Sequence, residues 1–234
     1  MRVDLHPAYV LHQRDYRETS LLIEVFSSLY GRVALVAKGA RRQQSRIGGS
    51  LHAFRPLKIA WSKRGEMGTL TAAEADGPSW RLFGRKLISA FYLNEVIMRL
   101  LPQDDPHPGL FQSYQEVLST VALTASEEPA LRIFEKRLLD ELGYGLVLDH
   151  DVESGAKIDC ARAYYYQNGK GPCLTRPASG LAVKVHGHTL IGLANAQLDK
   201  VESLRESKRL MRFVFKPLLG QRPLYSRQLF TEQR

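Results

Sequence analysis

The hydrophobic period changes near Ser79, and that change constrains the fold more than any other feature of the chain. Before it, apolar residues fall in short runs, "AYVLHQR", "ETSLLIEVFS", "GRVALVAKG", "FRPLKIAWS" and "TLTAAEA", parted by turn material such as "SLYG" and "KRGEMG". Runs of this length, rich in β-branched and aromatic residues, predict strands. Five of them within residues 1–78 predict a small barrel. The OB-fold is the five-stranded barrel most often used to hold oligonucleotides, and other small barrels share the strand count.

After Ser79 the spacing becomes helical. "SWRLFGRKLISAFYLNEVIMRLL" puts Leu87, Phe91, Glu95 and Met98 on one face, with Ile88, Leu93, Val96, Ile97, Leu100 and Leu101 widening the apolar zone of a largely buried helix. "PQDDPHPG" ends it, and "LFQSYQEVLSTVAL" starts another on Leu110, Tyr114, Val117, Leu118 and Val121. A third begins at "SEEPA", with Ser126 as cap and Pro129 in the first turn. It turns Leu131, Phe134, Leu138 and Leu142 inward and stops at Gly143. Residues 144–190 break the pattern, with a hairpin turned at Asn168-Gly169 inside "ARAYYYQNGKGPCL". A last helix, about Asp199 to Lys216, carries Arg205, Arg209, Arg212 and Lys216 on one face and Leu204, Met211, Val214 and Phe215 on another, and Pro217 ends or kinks it. The expected class is α+β: an OB-fold barrel over residues 1–78, then a mainly helical C-terminal domain over 79–234 with an irregular, hairpin-bearing insert at 144–190.

Charge narrows the function. The 33 Lys and Arg exceed the 24 Asp and Glu, which favours polyanionic partners. From Val25 to Gly65 there is no acid at all, while nine cations fall there: Arg32, Lys38, Arg41, Arg42, Arg46, Arg55, Lys58, Lys63 and Arg64. An unopposed run of this kind is a field, which points to a binding surface. At its centre lies Ala37 to Ser50, "AKGARRQQSRIGGS", in the connection after the third strand. Here Gly39, Gly48 and Gly49 are expected to let the backbone approach a phosphate chain, and Arg41, Arg42 and Arg46 to supply charge and planar donor forks. Tyr9, Tyr16, Tyr30, Phe54 and Trp61 are candidates for base stacking, of which Phe54 and Trp61 read better as core.

Other chemistries fit less well. A nucleoside-triphosphate loop needs G-x-x-x-x-G-K-[ST], and neither this stretch nor Gly169-Lys170-Gly171 ends that way. The two cysteines, Cys160 and Cys173, form no C-x-x-C pair, so neither a disulfide framework nor a metal with His150, His186 or His188 is expected. A metal-dependent nuclease would need Asp104 with Asp105, or Asp149, His150 and Asp151, gathered around ions; both groups read as loop or turn. No apolar run approaches the roughly 20 residues that span a bilayer, and "MRVDLHPAY" lacks a signal-peptide core, so a soluble, intracellular, non-membrane protein is expected. The cation pattern alone leaves RNA open beside DNA.

With these pieces placed, the sequence resembles the RecO family of bacterial recombination mediators. The resemblance rests on "AYVLHQRDYRETSLLIEVFSSLYGRVALVAKGARR", "FRPLKIAWSKRGEMGTLTAAE", "YLNEVIMRLLP", "EPALRIFEKRLLDELGYGLVLD" and "KRLMRFVFKPLLGQRPLYSRQLF". It implies an N-terminal OB-fold and a helical C-terminal domain. It also implies a non-enzymatic, cofactor-free, cytoplasmic and nucleoid-associated protein that binds single- and double-stranded DNA and anneals complementary strands. With RecR, such a protein helps load RecA onto strands coated by single-strand-binding protein, SSB. Carried to matching positions, DNA contact falls on Arg14, Arg17, Arg32, Lys38, Arg41, Arg42 and Arg46, and on Lys63 and Arg64. Docking of the acidic SSB tail falls on Leu131, Arg132, Phe134, Arg209 and Arg212. Many members carry a four-cysteine zinc site after "LGYG"; "LDHDVESGAKIDC" has no cysteine pair, and no metal is carried over.

Overall fold

The computed structural model describes residues 1–65, 67–178 and 180–232. Glu66, in the turn expected at "KRGEMG", and Ser179, in the expected insert, lie outside the described residues. Strands β1 (Arg2–Tyr16), β2 (Ser20–Ser27), β3 (Gly31–Ala37), β4 (Leu57–Lys63) and β5 (Gly68–Ala75) close a barrel in the order β1-β2-β3-β5-β4. Only β3 and β5 run parallel, with Leu35 opposite Gly68; with this closure the barrel is OB-like. Alternation drives it: along β3, Gly31, Val33, Leu35 and Ala37 are buried while Arg32, Ala34 and Val36 are half-buried. The interior gathers Val10, Ile23, Val25, Leu35, Ile59 and Trp61. Strand β1 serves two neighbours, so that Ala8 lies opposite both Ser27 and Leu57, with a register shift between Val10 and His12.

Helices α1 (Gly84–Leu100) and α2 (Pro108–Leu123) belong with the barrel wall. Tyr9 and Phe26 meet Phe111 and Tyr114 of α2 edge-on or tilted, with Tyr9 and Tyr114 at 5.2 Å and Phe26 and Phe111 at 5.4 Å between ring centres. Between them, buried Asn94 donates from Nδ2 to the Leu11 carbonyl at 2.8 Å and accepts the Tyr114 hydroxyl at Oδ1. The buried side of α1 is Ile88, Tyr92, Leu93, Val96 and Ile97. The expected stripe through Phe91 and Glu95 lies outside it: Phe91 remains 42% exposed, and Glu95 does polar work. Its carboxylate accepts the Tyr225 and Ser226 N–H groups at 2.8 and 2.9 Å, capping the start of α6 (Tyr225–Glu232). The contacts therefore group the chain differently from a cut after residue 78. One unit joins Met1–Leu123 to the stretch from Leu224, and the other is Thr124–Pro223.

The second unit holds α3 (Glu128–Glu141), a sheet ordered β7-β6-β8, α4 (Gly187–Ala194) and α5 (Val201–Leu219). Helix α3 is capped at Glu127 rather than Ser126, with Pro129 in its first turn as expected. Strands β6 (Ala163–Gln167) and β7 (Gly171–Cys173) form the expected hairpin, Gln167 facing Gly171. The third strand, β8 (Ala182–His186), and α4 are absent from the sequence reading because each is too short to show a period. Helix α5 accommodates Pro217 in its last turn and ends at Leu219, beyond the expected Lys216. Buried Glu206 ties it to β8 and α4: Oε2 accepts the His186 N–H at 2.9 Å and the Thr189 hydroxyl at 2.7 Å, and Oε1 meets His186 Nδ1 at 2.7 Å. Burial pushes the Glu206 carboxyl up, but these bonds outweigh it and hold it below the usual range.

A second carboxylate organises the expected insert. Asp151, buried, accepts the N–H groups of Glu153 (2.9 Å) and Ser154 (2.8 Å) and the Ser154 hydroxyl at Oδ1, and the Leu174 N–H at Oδ2 (2.8 Å). The loop is thus knotted around one charge. The cysteines do not fit a four-cysteine metal site: Cys160 is exposed, while the buried Cys173 thiol lies within hydrogen-bonding distance of the Tyr165 and Thr175 carbonyls and accepts from Gln167.

Candidate nucleic-acid interface

Strand direction sorts the basic residues before any side chain is considered. Tyr16 pairs with Ser20 and Leu21 with Ala37, so the β1–β2 turn and the β3–β4 connection share one end of the barrel. Ser27 pairs with Gly31 and Lys63 with Gly68, which puts Arg32, Lys63 and Arg64 at the other. The nine expected DNA-contact residues are thereby split. Arg14, Arg17, Lys38, Arg41, Arg42 and Arg46 gather at the first end.

There the chain from Ala37 to Ser50 is folded onto the barrel. Ala40 and Leu51 are buried in the core and Ile47 packs against it, so three apolar side chains plug the barrel end. Between them the backbone winds through bonds from Arg42 N–H to Gly39 O, Ser45 N–H to Arg42 O and Gly48 N–H to Ser45 Oγ, then a short 3-10 turn at Gly48–Ser50. A Cβ on Gly48 would sit 1.9 Å from the Ala40 carbonyl oxygen. This glycine therefore permits the chain to approach itself, which replaces the expectation that it frees the backbone for phosphate. What remains for a ligand is the outer rim, where Lys38, Arg41, Arg42 and Arg46 are exposed.

Arg41 stands apart from its neighbours. Its N–H donates to the Thr19 carbonyl at 2.9 Å, its guanidinium lies 3.3 Å from the carbonyls of both Arg17 and Glu18, and it pairs with Asp15 at 3.0 Å. Across this joint, Arg17 lies 5.2 Å over the Tyr16 ring, and Arg14 is exposed on the β1 edge. Of the five stacking candidates, Tyr16 alone stands at this end and half-buried. Tyr9 faces α2, Tyr30 packs on Trp61 at 5.0 Å, and Phe54 packs on Phe91.

At the opposite end two of the three cations are paired. Lys63 Nζ binds the Asp104 carboxylate, and Arg32 pairs with Glu24 at 3.6 Å. The α1–α2 loop is strapped here by the Asp104 N–H on the Arg32 carbonyl (2.9 Å), and Gly31, at φ +64°, passes so close that a Cβ would lie 1.9 Å from the Asp105 carbonyl oxygen. Arg64 is exposed. Folding thus brings acids from outside the acid-free window onto four of its nine cations: Asp15 on Arg41, Glu24 on Arg32, Asp76 on Lys58 and Asp104 on Lys63. A Lys63→Ala variant is accordingly expected to keep its affinity for single-stranded DNA within about twofold, since an already neutralised cation releases no counterion; a titration by fluorescence anisotropy checks this.

In the second unit Arg205, Arg209, Arg212 and Lys216 are exposed along one face of α5, Arg209 also donating to the Lys184 carbonyl. Leu131 and Phe134 are buried in the core of that unit, and Arg132, 5% exposed, pairs with buried Glu135 at 2.8 Å. The structure does not bring these three to the surface beside Arg209 and Arg212. The carboxylates considered for a nuclease are engaged singly: Asp104 with Lys63, Asp105 with His107, Asp149 with His150, and Asp151 with backbone N–H groups. Among the described residues His186, Glu202 and Glu206 bring three ligand-type atoms within 4.8 Å, but Nδ1 of His186 is engaged with Glu206, and Arg209 stands 3.6 Å from the same carboxylate oxygen. No helix among the described residues is long and apolar enough to cross a membrane.

Two family models match the chain, with bounds that differ from those of the two structural units. Residues 1–78 match the family model described as Recombination protein O N terminal, and residues 83–228 match Recombination protein O C terminal. Over 234 residues the chain is 47% identical to a protein of Nitrosococcus oceani named DNA repair protein RecO, covering 100% of this chain and 95% of the relative. Proteins of the same name from Methylococcus capsulatus and Azoarcus sp. are 47% and 45% identical, over 98% and 99% of this chain and 93% and 96% of theirs.

Proposed function

This chain belongs to the RecO family, whose members are DNA repair proteins acting in recombination, and on that premise we propose that its barrel end is a DNA-binding surface used to anneal strands. The observation that carries this reading is the cluster of exposed cations, Arg14, Arg17, Lys38, Arg42 and Arg46, on two adjoining loops with the Tyr16 ring beside them. Cations in this arrangement displace the counterions condensed on a strand, and two strands so neutralised repel each other less, so their bases meet and pair. The chemistry is electrostatic and needs no covalent step, cofactor or metal. Five phosphate contacts give a log-log salt slope of about −3.5 for a single strand and about −4.5 for a duplex.

Partners follow from the same premise. RecR and RecA are the proposed collaborators in loading, and the acidic tail of SSB is proposed to dock on the second unit. Arg209 and Arg212 offer that tail outward cations, while Leu131, Arg132 and Phe134 act from beneath as the packed base of α3. Docking would concentrate the protein at coated strands.

The test is annealing of complementary SSB-coated strands followed by fluorescence quenching. The protein is expected to accelerate pairing, with a rate that falls steeply as salt rises. A rate equal to that of the strands alone would overturn the proposal.

A further inference from the structure

Of the three arginines in "ARRQQSR", the geometry points to Arg41 as the joint that makes one binding track out of two loops, with Arg42 and Arg46 as the phosphate ligands. This deepens the DNA-binding reading given above and rests on it.

The bonding of Arg41 carries the inference. It reaches across from the β3–β4 connection to the β1–β2 turn through four contacts: its own N–H on Thr19 O, its guanidinium toward Arg17 O and Glu18 O, and Nη2 on Asp15. Two carbonyls and a carboxylate on one planar fork leave little donor capacity for a phosphate, because a guanidinium has five N–H groups in fixed directions. Arg42 and Arg46 are exposed and form no ion pair among the described residues. The β1–β2 turn needs such a tie. Arg17 sits at φ +52°, an uncommon conformation for a residue with a side chain, and the turn otherwise projects its cations from a two-stranded tip. Arg41 also pairs with Asp15, the acid next to Arg14 on that strand, which removes one of the two carboxylates near the track; the other, Glu18, is exposed in the turn beside Arg17.

The joint and a direct ligand predict different behaviour for Arg41→Lys. Lysine keeps the charge but is a point donor that cannot span two carbonyls and a carboxylate at once. Should Arg41 act as a joint, Arg41→Lys and Arg41→Ala will both weaken single-strand binding about 25-fold at 0.1 M salt. Both will also flatten the log-log salt slope by about 1.4, because Arg14 and Arg17 leave the track together. By contrast Arg42→Ala and Arg46→Ala should each flatten it by about 0.7, and Arg42→Lys should restore most of the loss. Circular dichroism and melting of all variants control for folding, since the barrel core is untouched. Wild-type slope and affinity in Arg41→Lys would overturn the joint. So would a slope change in Arg41→Ala no larger than that in Arg42→Ala. A wild-type protein that shows no salt-dependent binding would instead defeat the DNA-binding reading itself, so the two failures are distinguishable.

Discussion

Alanine at Arg41, Arg42 and Arg46 together is expected to weaken single-stranded DNA binding about a hundredfold or more at 0.1 M salt, while the melting temperature stays near that of the wild type. The size follows from counterion release. Each lost phosphate contact removes about 0.7 from the log-log slope for a single strand, so the direct ligands Arg42 and Arg46 cost about 1.4 decades at 0.1 M, and less as salt rises. Loss of the Arg41 joint takes Arg14 and Arg17 with it and carries the total past about two decades. Stability should be spared because the barrel plug is apolar, made by Ala40, Ile47 and Leu51, and none of the three arginines is buried. Equal affinities for variant and wild type at 0.1 M would remove this barrel end from the function. Annealing of SSB-coated strands should fall in step with binding.

Asp151→Ala is expected to do the reverse, leaving DNA affinity at the barrel nearly intact while loosening the second unit by about 3 kcal/mol. Three backbone N–H groups and the Ser154 hydroxyl converge on this carboxylate, and alanine would leave those part-buried donors without their shared partner. Asn is expected to recover only part, because its amide would turn a second donor toward the Leu174 N–H. Hydrogen exchange of the β6 amides reads the effect locally, and unchanged protection in Asp151→Ala would show that the loop is held by other contacts. Acid should mimic the substitution. Burial pushes the Asp151 carboxyl up, but the N–H groups of Ser154, Leu174 and Glu153 pull it further down, so its folded pKa lies below the ordinary value. The contribution is therefore fully present above the unfolded pKa of about 4 and is lost as pH falls through the lower folded value.

The barrel is legible in the sequence because its strands alternate, and alternation survives whatever packs outside. All five expected runs contain a strand, and the "AKGARRQQSRIGGS" stretch follows the third of them as expected. Helix faces are less legible. Periodicity around α1 does not reveal that Glu95 is spent on the first turn of α6, 130 residues away, and that Phe91 is left outside. The acid-free window overstates the free charge for a related reason: it counts neighbours along the chain, whereas Asp15, Glu24, Asp76 and Asp104 arrive through space. The family resemblance puts Leu131 and Phe134 at a docking surface, but their i and i+3 spacing on an amphipathic helix is equally that of core residues, and both are buried. The role of Asp151 has no pattern to betray it, since one aspartate in a turn looks like any other until its partners are counted.

The cap that Glu95 places on α6 bears on the order in which the protein matures. The residues that complete the α1 side of the first unit are translated only after the whole of Thr124–Pro223. During synthesis the barrel can close early, but Glu95, 3.9 Å from Arg99 on its own helix, waits for the last helix to bring its N–H partners. The inserted unit therefore has the entire interval to fold unaided. A ribosome-stalled chain cut at Pro223 and extended by an unstructured linker that clears the exit tunnel should hold a closed barrel and a folded second unit, with only the final seam still open.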